Sequence, residues 1–469
     1  MTLFKSLVSY PNEGVIKLET KGIFKKIFLI AMPIALQSLI VSATNLADVF
    51  MVGRLGEESL AGLGLANQIM FMFTLILFGI NSGAGVLTAQ FWGKKDIKSI
   101  HMVLGLALTI SLSIALIFFL TARIIPYELI RIYSPDLNVI KLGGNYLKIV
   151  SFSYIFVSIY LTYVTQLRNM SLVKISVYSS LLTLFINVSL NYIFIFGKLG
   201  FREMGVEGAA LATSIARFIE ASFILGYIHI KKYPLVANIK TLFNFNKVFV
   251  GRYFNISLPV MMNELFWALG ITSYSMIYAR MSTSAIATIN VVTSIERIVF
   301  TGFIGIAHAT SAIVGNKVGE GNEVEAKLYG RYCSKLAIIA GLIGSVIIFI
   351  SAKSVLYFYG LNEQVYTYAY KTLMSLCIIL PFKAFNATTV VGILRGGGDT
   401  KYALLVDLIA LWTIGVPFTF FSGLYFSLPI YFVYLIAGSE EIIKFFLGLN
   451  RIKSDKWIKN VTELSLIHI

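Results

Sequence analysis

Apolar residues in this chain fall in long unbroken runs, with little strict polar and apolar alternation. The first run, Ile27 to Gly53, is long enough to cross a bilayer, for which about twenty residues suffice. Others follow at roughly Leu60 to Phe91, Met102 to Ile125, Gly143 to Leu167, Leu172 to Ile195 and Gly208 to Ile230. After a basic connector come Phe254 to Ala279, Ile286 to Val314, Leu336 to Gly360, Val365 to Leu394, Tyr402 to Phe420 and Tyr425 to Leu449. Runs of this length read as helices, since backbone facing lipid must satisfy its hydrogen bonds within its own segment. The pattern predicts an all-α integral membrane protein of about twelve transmembrane helices, divided as tail 1–26, N-lobe 27–230, connector 231–253, C-lobe 254–449 and tail 450–469.

The two lobes are copies. Pro33 to Gly93 lies over Pro259 to Gly319 without a gap, matching Arg54 to Arg280, Ala61 to Ala287, Gly79 to Gly305 and Ile80 to Ile306. Further on, Leu167, Arg168 and Lys174 match Leu394, Arg395 and Lys401 at an offset one residue longer. Six spans separate the copies, so both halves share one orientation. That is a parallel repeat about an axis along the membrane normal, a build common among secondary transporters, with substrate between the halves.

Composition agrees: 57% of the 469 residues are hydrophobic, 13% are charged, and the mean hydropathy is +0.80. The net charge of +16 raises nucleic acid as a partner, but the Lys and Arg residues sit in alternate loops, and no nucleic-acid role is expected. Both tails, the connector and the loops holding Lys94, Lys95 and Lys98, Arg168 and Lys174, Lys317, Lys327, Arg331 and Lys335, and Arg395 and Lys401 carry roughly two-thirds of them. By the positive-inside rule both termini are expected in the cytoplasm, with the chain in the plasma (inner) membrane. The first tail, with Lys5, Lys17, Lys21, Lys25 and Lys26, has no small-residue cleavage site.

Against this background a few polar residues stand out. Asp48 is an acid about five residues from the outer end of the first span, and a charge at such depth is a functional hypothesis by default. Asn187 and Asn191, at i and i+4 on span five, and Thr213 on span six reach similar depth. These oxygens can coordinate a sodium ion or prepare Asp48 to take a proton; the polar groups can instead satisfy one another between helices. Arg217, a turn deeper than Thr213, is the nearest candidate partner for Asp48.

Glu264 lies near the middle of span seven, where a coupling or substrate role competes with an ion pair to Arg297 or Lys383. Lys383 and Asp407, at comparable depth on spans ten and eleven, are expected to form a structural ion pair. His308 is expected to be a packing residue, and Arg395 to Asp399 a tight turn with no phosphate-cradle pattern. The cysteines Cys333 and Cys377 and the histidines His101, His229, His308 and His468 are scattered, without zinc or triad spacing. No enzyme is expected, no cofactor and no metal beyond the coupling ion. The apolar end, Leu464 to Ile469, has no role assigned.

Three stretches carry a family resemblance. The run from Pro33 and Gln37 through Ala43, Thr44, Asn45, Leu46, Ala47, Asp48, Val49, Phe50, Met51, Val52 and Gly53 to Leu55 and Gly56 resembles the first helix of the multidrug and toxic-compound extrusion (MATE) transporters. Gly205 to Thr213 and Leu394 to Thr400 resemble two further motifs, and the likeness covers about residues 20 to 450. It implies an antiporter driven by H+ or Na+ that exports organic, often cationic amphipathic compounds; a monomer is expected. It also implies that Asp48, with Asn187, Asn191 and Thr213, forms the first-lobe cation site, and that Glu264 belongs to a second-lobe site. Some members carry an acid where Asn191 stands, which leaves proton and sodium both open. The runner-up, a flippase for a lipid-linked sugar, favours a strongly cationic central cavity.

Overall fold

The computed structural model describes residues 13–463, with side chains from Gly22 onward; residues 1–12 of the expected first tail and the apolar end 464–469 lie outside the described residues. The described residues are predominantly helical and contain no strand, only an isolated bridge between Gly398 and Ile458. The helices are α1 Glu13–Gly53, α2 Glu57–Gly93, α3 Ile97–Ile124, α5 Lys174–Phe196 and α6 Gly205–Ile230 in the first lobe. The second lobe holds α7 Lys247–Met281, α8 Thr283–Gly319, α9 Glu323–Phe358, α10 Glu363–Leu394 and α11 Thr400–Tyr425. These ten are each long and apolar enough to span a membrane.

Two further spans are broken. α4 consists of Leu137–Val150 and Ser153–Asn169, bent by 53°. α12 consists of Ile430–Ala437 and Ser439–Lys453, interrupted at Gly438. With them the twelve-helix, two-lobe layout is complete, and the protein is a multi-pass membrane protein. The first helix begins at Glu13, so residues 13–26 of the expected tail are helical and continuous with the first span.

The repeat is visible in the helix starts. Asp96 caps α3 by accepting from Ser99 N at 3.1 Å, and its counterpart Asn322 caps α9 through Glu325 N at 3.1 Å. Asp136 and its counterpart Asn362 do the same for α4 and α10. Each side chain satisfies an amide that the first helical turn leaves without a partner.

The lobes meet along α1, α2, α7 and α8, where α2 packs on α7, α1 on α8, and α2 on α8. Contact is closest at the basic end. A side chain on Gly93 would strike the carbonyl of Asn316, and one on Gly319 would strike that of Gln90. Gln90 and Asn316 are themselves equivalent in the repeat, so the contact is reciprocal. Between them Ala89 faces its counterpart Gly315.

The chain's end reinforces this closure. Trp457 is fully buried against Gly330 and Gly397 of the second lobe. Four residues on, Val461 packs into the core of the first lobe, and its amide donates to Gln90 Oε1 at 2.8 Å. The segment from Trp457 to Thr462 therefore straps the lobes together.

Candidate functional site

α1, α5 and α6 bring Asp48, Asn187, Asn191 and Thr213 into one hydrogen-bonded chain. Asn191 Nδ2 donates to Asp48 Oδ1 at 2.5 Å and to Asn187 Oδ1 at 3.2 Å, and Asn187 Nδ2 donates to Thr213 Oγ1 at 3.4 Å. Asn191 is fully buried, and its Oδ1 has no partner among the described residues. Asp48 is in no ion pair among them. Arg217 lines the same cavity, but its guanidinium is held by Glu220 at 2.7 Å.

The cavity holds about 50 Å³, room for one or two water-sized species. Thr44, Asn45, Asn67, Tyr146 and Thr183 complete its wall. Sequence reasoning missed these five. Helical spacing would have found Thr44 and Asn45, one turn before Asp48, and Thr183, one turn before Asn187. Asn67 and Tyr146 arrive from α2 and α4 with no local signal. The wall gives one carboxylate and several amide and hydroxyl oxygens, a donor set suited to a small hard cation or a proton.

In the second lobe the charged residues group differently from the sequence expectation. Lys383 Nζ lies 2.5 Å from Glu296 Oε1, and Asp407 is held by Lys444 at 3.4 Å and by Asn263 Nδ2 at 2.8 Å. The expected Lys383 to Asp407 pair is thus corrected. Depth along a helix does not fix which face a residue occupies. Lys383 turns toward α8, whereas Asp407 turns toward α7 and α12.

Glu264 is likewise bound neither to Arg297 nor to Lys383. Arg395 Nη1 reaches it at 2.7 Å, while Nη2 donates to Asn263 Oδ1 at 2.5 Å. Arg395 Nη1 also donates across the lobe boundary to Ser82 Oγ at 3.2 Å. The first lobe has the counterpart arrangement, Arg168 Nη2 donating to Gln37 Oε1 at 3.3 Å, but no acid. His308, the counterpart of Ser82, packs edge-on against Phe78 of the other lobe, with ring centroids 6.0 Å apart.

The Arg395 to Asp399 stretch is a turn, closed by Gly398 N to Arg395 O and Asp399 N to Leu394 O at 2.9 and 2.8 Å. It is also buried: Asp399 is 1% exposed and paired with Arg451 at 2.7 Å and Lys459 at 2.6 Å. Among the described residues no three His, Cys, Asp or Glu side chains form a metal-binding group.

A family model described as MatE matches residues 33–193 and again 259–421. The chain is 25% identical to "Probable multidrug resistance protein NorM" of Thermotoga maritima, over 98% of this chain and 97% of that relative. It is 23% identical to "Uncharacterized transporter YisQ" of Bacillus subtilis, over 92% and 95%. Among solved structures, "Outward-facing conformation of a multidrug resistance MATE family transporter of the MOP superfamily" superposes with a TM-score of 0.84 at 21% identity, covering 96% of this chain and all of that one.

Proposed function

The chain belongs to the MatE family, whose members are transporters rather than enzymes, and from that premise we propose an antiporter in which entry of a proton or sodium ion drives export of organic, cationic amphipathic compounds. Relatives named as multidrug resistance proteins support the export half of this reading. The coupling half rests on one observation: an acid in no ion pair, hydrogen-bonded to a buried amide whose own oxygen has no partner, beside an ion-sized cavity.

Ion binding at Asp48 replaces the Asn191 hydrogen bond with a contact that spans α1, α5 and α6. A ligand moves a two-state protein only by preferring one state. Here the preference lies in the packing of α1 against α5, which the Asp48 to Asn191 bond sets directly. Bound organic compound and bound ion are then coupled reciprocally. With the basic face toward the cytoplasm of an inner membrane, the closed end described above is the cytoplasmic one, and export ends from this state.

The flippase reading calls for a cationic cavity to hold pyrophosphate. The second-lobe chamber is instead lined by the acids Glu296, Glu440 and Glu441 against the bases Arg297 and Lys383.

Proteoliposomes loaded with an organic cation test the proposal, with an imposed sodium gradient and then an imposed proton gradient. Efflux is expected with one of them, and Asp48→Asn is expected to lower it about tenfold or more, as loss of one coupling charge would. Efflux by Asp48→Asn equal to wild type, with unchanged gradient dependence, removes Asp48 from the coupling.

A further inference from the structure

Arg217 and Glu220 form a buried ion pair that the hydrogen-bonded chain from Asp48 to Thr213 does not include. The two lie three residues apart on α6, with Arg217 Nη1 2.7 Å from Glu220 Oε2. Glu220 is 1% exposed, and its Oε1 has no hydrogen-bond partner among the described residues. One contact thus compensates a fully buried carboxylate. Arg217, one turn along α6 from Thr213, also lines the cavity of about 50 Å³ beside Asp48, and these two are the charged residues in its wall. Glu220 stands behind that wall.

Charge shows what the arrangement does. Asp48, Glu220 and Arg217 together carry one negative charge in excess, and an uncompensated charge at membrane depth calls for a cation. Moved onto Asp48, the guanidinium would neutralise that carboxylate and fill the room an ion would use. Held by Glu220, it leaves Asp48 to the cation.

The second lobe shows the same base without such an acid. At the offset that lays Arg168 over Arg395, Arg217 corresponds to Lys444, Thr213 to Glu440 and Glu220 to Leu447. With an apolar residue in the place of Glu220, Lys444 lies 3.5 Å from Glu440 and 3.4 Å from Asp407. A base at this place settles on the acids around it unless another acid draws it away.

We propose that Glu220 is a positioning residue of the first-lobe cation site: it holds the Arg217 guanidinium off Asp48, and Arg217 is a built-in competitor of the coupling cation for that carboxylate. This rests on the antiporter reading above and names what sets its ion site. Glu220 thereby controls how tightly Asp48 holds a cation without touching it. An ion pair kept for stability alone predicts something else. Loss of either partner would strand a buried charge, so both single substitutions would harm the site alike. The proposal predicts opposite signs, because Glu220→Gln releases the competitor onto Asp48 and Arg217→Gln removes it.

The test is labelling by dicyclohexylcarbodiimide, which adds to a carboxyl group that carries its proton, on the purified full chain in lipid nanodiscs. Mass spectrometry of the peptide containing Asp48 gives the readout. A guanidinium alongside holds a carboxylate bare, so Glu220→Gln is expected to lower labelling of Asp48 about tenfold. Arg217→Gln is expected to raise it, and the double substitution, which strands no charge, to return it to the wild-type level or above. Glu220→Asp, which keeps the charge but shortens its reach, is the milder release and is expected to lower labelling about threefold. Labelling at or below the wild-type level in Arg217→Gln makes the pair structural and overturns the proposal. Labelling unchanged in folded Glu220→Gln or Glu220→Asp chains overturns it as well. Opposite shifts in the two single variants, together with no wild-type efflux under either gradient, leave the role of Glu220 standing and refute the antiporter reading alone. Wild-type efflux with unaltered labelling refutes the role of Glu220 alone.

Discussion

Gly93 of α2 and Gly319 of α8 hold equivalent places in the two halves of the chain, and each presses against the backbone of the other helix, at Asn316 and Gln90 respectively. Neither site has room for a Cβ, so the two helices touch main chain to main chain at the basic end. The contact is self-complementary about the repeat axis. In the antiporter proposed above, this contact has no side chain to rotate aside, so it opens only when the lobes move apart.

Gly93→Leu is therefore expected to hold the basic end open. Overpacking a close contact costs about 1–3 kcal/mol, and about 1.4 kcal/mol shifts a two-state ratio tenfold. Spin labels on the loops after α2 and α8 are expected to report a longer mean separation, with efflux lowered accordingly. An unchanged distance distribution in a folded Gly93→Leu chain removes this contact from the gate.

Arg395 is the second closure. Its guanidinium is 4% exposed and joins Glu264 and Asn263 of its own lobe to Ser82 of the other. Removing one member of a buried pair typically costs about 3–5 kcal/mol, because the remaining charge is stranded. Glu264→Ala is expected to lower the melting temperature in nanodiscs much more than Glu264→Gln, which keeps an acceptor for the guanidinium. Since Arg395 already compensates the acid, Glu264→Gln is expected to leave the ion dependence of efflux close to wild type. A lost or altered ion dependence in Glu264→Gln would make Glu264 a coupling group.

These contacts show where sequence reading succeeds and where it stops. Hydrophobic length gave the spans and the gapless overlay gave the repeat, because both properties are linear along the chain. Asp48, Asn187, Asn191 and Thr213 were found together because depth in a membrane helix is also linear, at about 1.5 Å per residue. The partners of Lys383, Asp407 and Glu264 were missed because pairing depends on the rotation of each helix about its axis, which depth does not specify. Arg395 reads as part of a turn, and so it is; nothing local announces that its side chain joins Glu264 and Asn263 to Ser82 of the first lobe. Residues 450–469 read as a basic tail, and nothing local announces that Trp457 within it is fully buried.

Trp457→Ala tests whether the strap is structural. Replacing a fully buried large aromatic with alanine costs about 3–5 kcal/mol when the site cannot collapse, and Gly330 and Gly397 offer no side chain to fill the space. The expected result is a clearly lower melting temperature and, because Val461 loses its tether to Gln90, faster solvent exchange of amides at the basic ends of α2 and α8. Stability and exchange equal to wild type would mean that the segment only rests on the lobes.

Asn191→Asp addresses the ion site directly. Asn191 Nδ2 lies 2.5 Å from Asp48 Oδ1, so an aspartate there sets two carboxylates in contact. Like charges so close do not both stay bare; they share a proton or take up a cation. The Asn187 atom that faces Asn191, at 3.2 Å, is its acceptor Oδ1, so the new carboxylate gains no donor there and adds a further bare oxygen to the pocket. Sodium affinity, followed by radioactive sodium binding at fixed pH, is therefore expected to rise about tenfold, one added charge in a shielded pocket being worth at least that. Raising the proton concentration is expected to reverse the gain, since proton and sodium then compete for the same pair. Asn191→Ala, which removes both the hydrogen bond and the orphan oxygen, is expected to move sodium affinity the other way. If the two substitutions leave sodium and proton dependence alike and unchanged, the small cation binds elsewhere, and the cavity beside Asp48 is packing.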